Sequence, residues 1–157
     1  MGLVELDDRG LIVACGACGQ KNRIGYERLA NHVRCATCKD DITPPGEPID
    51  IASAEDFDRL IARASVPVVV DYWAPWCGPC RMVAPEMQKV AERQRGRVLV
   101  VKVNTEELSD IARRFRIQSI PTLAVFGDGK ELARTAGARP ASDIEAFIEQ
   151  ASRTTLH

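Results

Sequence analysis

The spacing of hydrophobic residues after residue 48 switches between two periods, and each switch predicts a new element. After Ser53, apolar residues recur three or four positions apart, which indicates an amphipathic helix with this serine as its N-cap. The apolar face consists of Phe57, Leu60, Ile61 and Ala64. The following run, Val66–Trp73, is almost continuously β-branched or aromatic. Such a run is expected of a strand that is buried on both faces of its sheet.

The same pattern continues with a helix over about residues 77–95, containing Pro85, and a second buried strand over Val98–Val103. A further helix is predicted from an apolar face formed by Leu108, Ile111, Ala112 and Phe115. The runs Thr122–Phe126 and Glu131–Ala136 flank Gly-Asp-Gly-Lys at 127–130, which predicts a hairpin turn.

The last helix is predicted to begin near Ser142, because Glu145 follows it at the spacing of a capping box. From Pro48 the order is then strand, helix, strand, helix, strand, helix, strand, strand, helix. This order predicts an α/β fold in which a central sheet, parallel at first and antiparallel at its final hairpin, is flanked by helices.

A proline-rich segment separates this pattern from the N-terminal residues. Residues 43–48 read Thr-Pro-Pro-Gly-Glu-Pro and oppose both helix and central strand. The sequence before them contains four cysteines and few large apolar residues. We therefore expect a small module over residues 1–46, with the proline-rich linker at its end, and an α/β domain over residues 47–157.

Composition and charge exclude several classes of function. The chain has 157 residues and a formal net charge of -1, so its charge predicts no binding to nucleic acid or to a membrane surface. The N-terminus lacks the basic and apolar regions of a secretory signal, and no apolar run is long enough to span a bilayer. We expect a cytoplasmic protein, and a monomer.

The six cysteines form three Cys-x-x-Cys pairs, of which Cys77 and Cys80 follow the first buried strand. Cys77 is predicted at the N-terminus of a helix, where free N–H groups and the helix dipole favour a thiolate. Cys80 then lies one turn further along, within reach of a mixed disulfide on Cys77. An attacking thiolate on the surface with a nearby resolving thiol is the arrangement that disulfide exchange requires. Gly78 eases the turn, and Pro79 suits the first helical turn because it lacks an N–H.

These residues resemble the active site of the thioredoxin family. The resemblance rests on residues 71–80, Asp-Tyr-Trp-Ala-Pro-Trp-Cys-Gly-Pro-Cys, and covers about residues 48–152. It also includes Pro85, Lys102, Gly129, Gly137 and the tripeptide Ile-Pro-Thr at 120–122. The Gly78-Pro79 dipeptide is similar to that of the reducing members of the family.

The resemblance implies a thioredoxin fold and a role for each matching residue. Cys77 would be the nucleophile and Cys80 the resolving cysteine, with buried Asp71 as general base for the Cys80 thiol and Lys102 beside it. Pro121 would be a cis-proline opposite the disulfide. The substrate would dock on Trp76, Gly78, Pro79, Ile120, Pro121, Gly137 and Ala138. The residues alone leave simpler alternatives: a structural disulfide, a buried aspartate without a catalytic role, a trans proline and a strand-end lysine.

The other two pairs, Cys15/Cys18 and Cys35/Cys38, are separated by sixteen residues. This spacing is typical of a four-thiolate zinc site built from two tight turns, with Gly16 and Gly19 easing the first. Four protein ligands leave no open position, so we expect one structural Zn²⁺ per chain. Two disulfides or another metal are the alternatives. His32 is expected to be exposed and not to be a ligand.

With this module included, the whole chain resembles the zinc-binding, two-domain bacterial thioredoxins. The resemblance implies a cytoplasmic reductase of protein disulfides that is recycled by an NADPH-dependent flavoprotein, thioredoxin reductase. The chain itself has no Gly-rich dinucleotide motif and is expected to bind neither flavin nor nicotinamide. Two other hypotheses stay open: a binding module that uses the basic residues of the ribbon, and an oxidase or isomerase of the secretory pathway.

Overall fold

Short antiparallel strands form the N-terminal part of the chain in the computed structural model, which describes residues 4–153. Three of them pair in sequence order: β1 (Glu5–Leu6), β2 (Gly10–Ala14) and β3 (Lys21–Gly25). A single 3₁₀ turn at Tyr26–Arg28 leads to a second antiparallel pair, β4 (Val33–Arg34) and β5 (Asp41–Ile42). One Cys-x-x-Cys turn joins β2 to β3, and another joins β4 to β5.

A five-stranded mixed sheet forms the rest of the molecule, in the order β10-β9-β7-β8-β6. The parallel strands are β6 (Ile49–Asp50), β7 (Val68–Trp73) and β8 (Leu99–Asn104). The antiparallel hairpin consists of β9 (Thr122–Gly127) and β10 (Lys130–Ala136). Four helices complete it: α1 (Ala54–Arg63), α2 (Gly78–Arg93), α3 (Ser109–Arg114) and α4 (Ala141–Arg153). The predicted α/β class and the order of elements are confirmed.

Two local predictions are confirmed with small changes of boundary. The Ser53 hydroxyl accepts a hydrogen bond from the N–H of Asp56 at 3.2 Å, so this serine is the N-cap of α1. The hairpin turn is shorter than predicted, because Lys130 already pairs with Gly127. Asp128 and Gly129 alone form it, with φ of 52° and 79°, as a two-residue turn of the primed type requires.

The predicted capping box at Ser142 is wrong. Helix α4 begins at Ala141, so Ser142 lies inside it. The free N–H of Ala141 is instead satisfied by Glu86 Oε1 of α2, at 2.9 Å. Glu145 accepts hydrogen bonds from Arg93, the last residue of α2, and from Gln94, the C-cap of that helix. Packing of α4 against α2 thus supplies a cap that local spacing had assigned to α4 itself.

The N-terminal module and the α/β domain share one hydrophobic core. Leu11, Ile24, Tyr26 and Leu29 belong to the same buried cluster as Phe57 of α1. This core lies on the α1 and α3 side of the sheet, while α2 and α4 cover the opposite side.

Backbone and charged contacts hold the two parts together at the loop between α1 and β7. The N–H of Ser65 donates to the carbonyl of Tyr26 at 3.0 Å, and the Ser65 hydroxyl accepts from Ala30. Arg63 lies over the Tyr26 ring at 5.5 Å and pairs with Glu27 at 2.7 Å. Because this loop precedes β7, the module lies at the end of the parallel strands opposite to the loop that follows β7.

No helix among residues 4–153 is both long enough and apolar enough to cross a membrane.

Candidate active site and metal centre

The Cys77/Cys80 pair lies in the turn between the carboxyl end of β7 and the start of α2. Cys77 is the N-cap of α2, and its Sγ accepts a hydrogen bond from the N–H of Cys80 at 3.2 Å. The two cysteines form a disulfide with their Cα atoms 5.3 Å apart. Each exposes only 4% of its surface, so the expectation of an exposed attacking cysteine is wrong for this disulfide form.

A cis peptide bond between Ile120 and Pro121 brings the start of β9 against the disulfide. Sγ of Cys77 lies 3.7 Å from the carbonyl oxygen of Ile120. The N–H of Gly137 donates to the carbonyl of Pro121 at 2.9 Å, and Gly137 has φ of 96°, a value that favours glycine. Three of the predicted docking residues therefore lie together beside Cys77. Ala138 is exposed in the loop that follows, without a described contact to Cys77.

Exposed apolar side chains lie on either side of the pair. Trp76 is 67% exposed and donates its indole N–H to Glu106. Met82 of α2 is 69% exposed and was not among the predicted docking residues. Helical periodicity carried the signal, because Met82 falls outside the series of buried positions, Val83, Met87 and Val90, that forms the core-facing side of α2. Gly78 and Pro79 are exposed between these two side chains in sequence.

A cavity of about 230 Å³ lies behind Cys80 and is lined by Asp71, Trp73 and Lys102 among others. Asp71 is 1% exposed, and its Oδ1 has no hydrogen-bond partner within residues 4–153. The buried indole N–H of Trp73 also lacks a partner there, and Lys102 Nζ lies 4.4 Å from the Trp73 ring. The cavity is mostly apolar but has room for water, and the carboxylate of Asp71 and the ammonium of Lys102 are polar groups that could hold it.

The environment of Asp71 changes the acidity of its carboxyl. Burial raises the pKa of its carboxyl from 3.8 to about 7, and the charge of Lys102 acts in the opposite direction. Asp71 and Lys102 are paired across β7 and β8, which explains why the lysine acts on this carboxyl. A carboxyl with a pKa near neutrality can both accept and release a proton under working conditions.

This pKa shift predicts how the stability of the disulfide form depends on pH. Below the unfolded pKa of 3.8 the carboxyl is protonated in both states. Between that value and about pH 7 only the unfolded chain loses the proton, so stability falls as pH rises and then levels off. At roughly 1.4 kcal/mol per pH unit, the loss approaches roughly 4 kcal/mol. Asp71→Asn is therefore expected to unfold at higher denaturant concentration than wild type at pH 8, with little difference at pH 4.

Urea titrations at both pH values would measure this difference. Asp8→Asn, at an exposed aspartate in the turn before β2, is the control and should shift neither curve. A gap between Asp71→Asn and wild type that is equal at both pH values would contradict the burial argument.

The other four cysteines bring their sulfurs together. The Sγ atoms of Cys15, Cys18, Cys35 and Cys38 all lie within 4.8 Å of one another. Cys15 lies 3.6 Å from Cys38, and Cys18 lies 3.6 Å from Cys35. A tetrahedral ion with metal–sulfur bonds of about 2.3 Å places its sulfurs about 3.8 Å apart, whereas a disulfide requires about 2.05 Å. The cluster can therefore hold a metal ion, and its cysteines are free.

The two cysteine turns have the same backbone design. In each, the first cysteine's carbonyl accepts from the N–H four residues later, at Gly19 and at Lys39. Each turn ends at a residue with a left-handed backbone conformation, with φ of 80° at Gly19 and 68° at Lys39. Gly16 has neither a positive φ nor a close neighbour, so the prediction that it eases the turn is wrong.

Asn22 supports the cluster from behind, a role that no sequence pattern predicted. Its buried side chain donates to Cys35 Sγ at 3.5 Å and to the Gln20 carbonyl, and accepts from the N–H of Ala36. Hydrogen bonds from the N–H of Cys38 and from Asn22 lower the pKa of Cys35 to about 6. A thiolate held in this way is ready to act as a metal ligand.

Comparison with known proteins gives a consistent result. A family model described as Thioredoxin matches residues 48–150. Thioredoxin C-3 of Corynebacterium nephridii is 36% identical over 140 residues, which cover 89% of this chain and 94% of that protein. Thioredoxin 1 of Chlorobaculum tepidum is 48% identical over 98 residues, covering 62% of this chain and 97% of the relative. The solved thioredoxin of Malassezia sympodialis matches with a TM-score of 0.61 at 32% identity, over 71% of this chain and 96% of its own.

The match to the Corynebacterium protein is longer than the α/β domain, so it also includes part of the N-terminal module.

Proposed function

The chain belongs to the thioredoxin family and is a dithiol–disulfide oxidoreductase, and we propose that it works as a cytoplasmic reductase of protein disulfides, recycled by NADPH-dependent thioredoxin reductase. The observation that carries this proposal is the position of Cys77. It caps α2 beside the Ile120 carbonyl, with Cys80 one turn further along. The Gly78-Pro79 dipeptide, which resembles that of reducing family members, supports the direction of the reaction.

Reduction takes place in two exchanges. The Cys77 thiolate attacks one sulfur of the substrate disulfide, forms a mixed disulfide and releases the other sulfur as a thiolate, which takes up a proton. The Cys80 thiol then loses its proton and attacks Cys77 Sγ. The second substrate thiolate leaves, and the Cys77–Cys80 disulfide closes. Two electrons pass to the substrate, and thioredoxin reductase returns them from NADPH.

Asp71 is the group that takes the Cys80 proton in this proposal. Its unpartnered Oδ1 and Cys80 line the same cavity, so water there can carry the proton between them. Lys102 keeps part of the Asp71 population ionised. The Asp71→Asn variant also tests this step: release of product from the mixed disulfide should slow, while its formation should not.

Substrate docks on the surface formed by Trp76, Gly78, Pro79, Ile120, Pro121, Gly137 and Ala138. Trp76 offers a large exposed apolar face, and the backbone around Pro121 lies beside Cys77, where an extended segment can pair with it. A higher KM for a protein disulfide in Trp76→Ala would show that this face contacts the substrate.

Cys15, Cys18, Cys35 and Cys38 would hold one structural Zn²⁺. The donor set is four thiolates at tetrahedral spacing, which suits zinc and leaves no position open for substrate. When bound, the ion fixes the two turns relative to each other and takes no part in electron transfer.

NADPH oxidation in the presence of thioredoxin reductase, this protein and insulin tests the proposal. We expect turnover that requires all three components, together with about one zinc ion per chain by mass spectrometry. Reduction of insulin with dithiothreitol in place of reductase and NADPH is the control. If the protein speeds insulin reduction by dithiothreitol but not by reductase and NADPH, thioredoxin reductase is not its recycling partner, and the proposed dithiol chemistry still stands. An oxidising reduction potential near −120 mV, as in the oxidase class, would overturn the reductase direction.

A further inference from the structure

Basic side chains from four separate segments of the module meet along one shallow groove of about 600 Å³. They come from β3, the 3₁₀ turn, the loop after it and β4, and are Lys21, Arg23, Arg28, His32 and Arg34. No aspartate or glutamate lines the groove in the described part of the chain. Residues 1–46 contain six Lys and Arg and six Asp and Glu, so folding, and not composition, produces this basic surface.

Arg28 and Arg34 carry the unneutralised charge of the groove. Within residues 4–153 neither guanidinium has a hydrogen-bond or ion-pair partner, and both residues are exposed. The other basic groups are partly neutralised by carboxylates outside the groove. Arg23 contacts Asp7, and His32 contacts Asp41 at 2.7 Å. Lys21 lies 3.7 Å from Glu5. Two unpaired guanidinium groups in one concave surface create a positive potential that an anionic ligand would neutralise.

The floor of the groove is fixed by the cysteine cluster. Asn22, which lines the groove, is 8% exposed and is hydrogen-bonded to both Cys35 Sγ and the N–H of Ala36. The strands that carry Arg23 and Arg34 are therefore tied to the same turn. The backbone positions that carry these two arginines are therefore set before any ligand arrives, which lowers the entropy cost of binding.

We propose that this groove binds an acidic segment, rich in Asp and Glu, of a protein whose disulfide Cys77 reduces; this rests on the proposed function. Carboxylates suit it because each guanidinium can bind one through two parallel hydrogen bonds. Nucleic acid fits less well, because no phenylalanine, tyrosine or tryptophan lines the groove in residues 4–153, and the chain's net charge is -1.

The groove is separate from the docking surface around Cys77. The module contacts the α/β domain at the loop before β7, whereas Cys77 follows the end of β7, a strand of six residues, or about 20 Å. A substrate protein whose acidic segment is bound here would stay near the dithiol, which raises the effective concentration of the substrate's disulfide at Cys77.

A binding assay tests the groove without using the dithiol. The probe is a fluorescent 12-residue peptide of Glu and Gly that lacks cysteine, and the protein is the full, metal-loaded chain. We expect Arg28→Glu with Arg34→Glu to weaken binding about tenfold or more. The control, Arg116→Glu with Lys130→Glu, gives the same net charge at exposed positions outside the groove and should bind as wild type does. Equal weakening in both, or no peptide binding to wild type, would overturn the proposal.

A 12-nucleotide single strand in the same assay decides between partners. Tighter binding of this oligonucleotide than of the peptide would replace the acidic protein segment with nucleic acid.

Reduction rates for two matched disulfide substrates test whether the groove assists reduction by Cys77. Both contain one disulfide, and one also carries an acidic segment on a flexible linker of about 20 residues. Wild type is expected to show about tenfold higher kcat/KM for the acidic substrate, and the groove variant no preference. The proposed function fails if neither substrate is reduced, whereas the groove proposal fails if both proteins reduce the two substrates equally.

Discussion

Cys77→Ser is expected to abolish disulfide reduction, with a loss of at least about a thousandfold, since removing a covalent nucleophile typically costs more than that. Serine at the N-cap still accepts the N–H of Cys80, so α2 keeps its cap and the fold should survive. The loss would therefore come from chemistry, because a hydroxyl does not attack a disulfide sulfur at neutral pH. Insulin reduction by dithiothreitol, with and without the variant, measures the loss.

Cys80→Ser separates the roles of the two cysteines. This variant keeps the Cys77 nucleophile but cannot resolve the mixed disulfide, so it should accumulate covalently bound to its substrate. Mass spectrometry of a reaction with a disulfide-containing protein would show the adduct for Cys80→Ser and not for Cys77→Ser. The reverse pattern would exchange the assigned roles. Retained metal in both variants would show that the four-cysteine site is independent of the redox pair.

Loss of the metal site is expected to have the largest effect on stability. Cys35 is 1% exposed, and its sulfur joins the cluster to Asn22, so Cys35→Ser should lose the ion and unfold the module. In zinc-finger peptides the binding free energy, about 10–16 kcal/mol, is the folding free energy of the unit. The effect should reach the α/β domain as well, because Tyr26 and Leu29 are part of the core that also contains Phe57.

Calorimetry of metal-loaded, chelator-treated and Cys35→Ser protein measures this effect. Exposure of the shared core should cost the α/β domain several kcal/mol, and Tm falls by about 2–4 °C for each kcal/mol in a chain of this size, so a drop of about 10 °C or more is expected. Cys77→Ser, compared with wild type in which the Cys77–Cys80 disulfide has been reduced, is the matched control and should keep both metal and Tm. A folded, metal-free module whose mass shows two disulfides would replace the zinc site with the disulfide alternative.

The hydrophobic periods after Pro48 were sufficient to predict the elements of the α/β domain and their order, but they predicted none of the short strands of the N-terminal module. A strand buried on both faces, such as β7, and an amphipathic helix, such as α1, each produce a repeat within one short segment. The Cys-x-x-Cys motif and its neighbours likewise indicated the family, because the residues that shape this turn are adjacent in sequence. Boundaries were less accurate: the helix predicted over residues 77–95 spans Gly78–Arg93.

Contacts between distant segments could not be predicted in this way. The cap of α4 comes from Glu86, 55 residues before Ala141. The docking of the module through Tyr26, Arg63 and Ser65 depends on how two parts of the chain pack, and no local repeat encodes it. Asn22 shows the same limit, because an asparagine in a strand has no pattern that marks it as a partner of Cys35.

The sequence by itself therefore determined the fold class, the dithiol motif and the spacing of the four other cysteines, because each is written within one segment or in a fixed interval between two. Only the tertiary structure decided how deeply the dithiol is buried and that a cavity isolates Asp71. It also decided which surface joins the module to α1, and that Arg28 and Arg34 line one groove. The physical reason is that burial and charge proximity are properties of packed surfaces. Residues far apart in sequence acquire them only when hydrophobic burial brings their elements together.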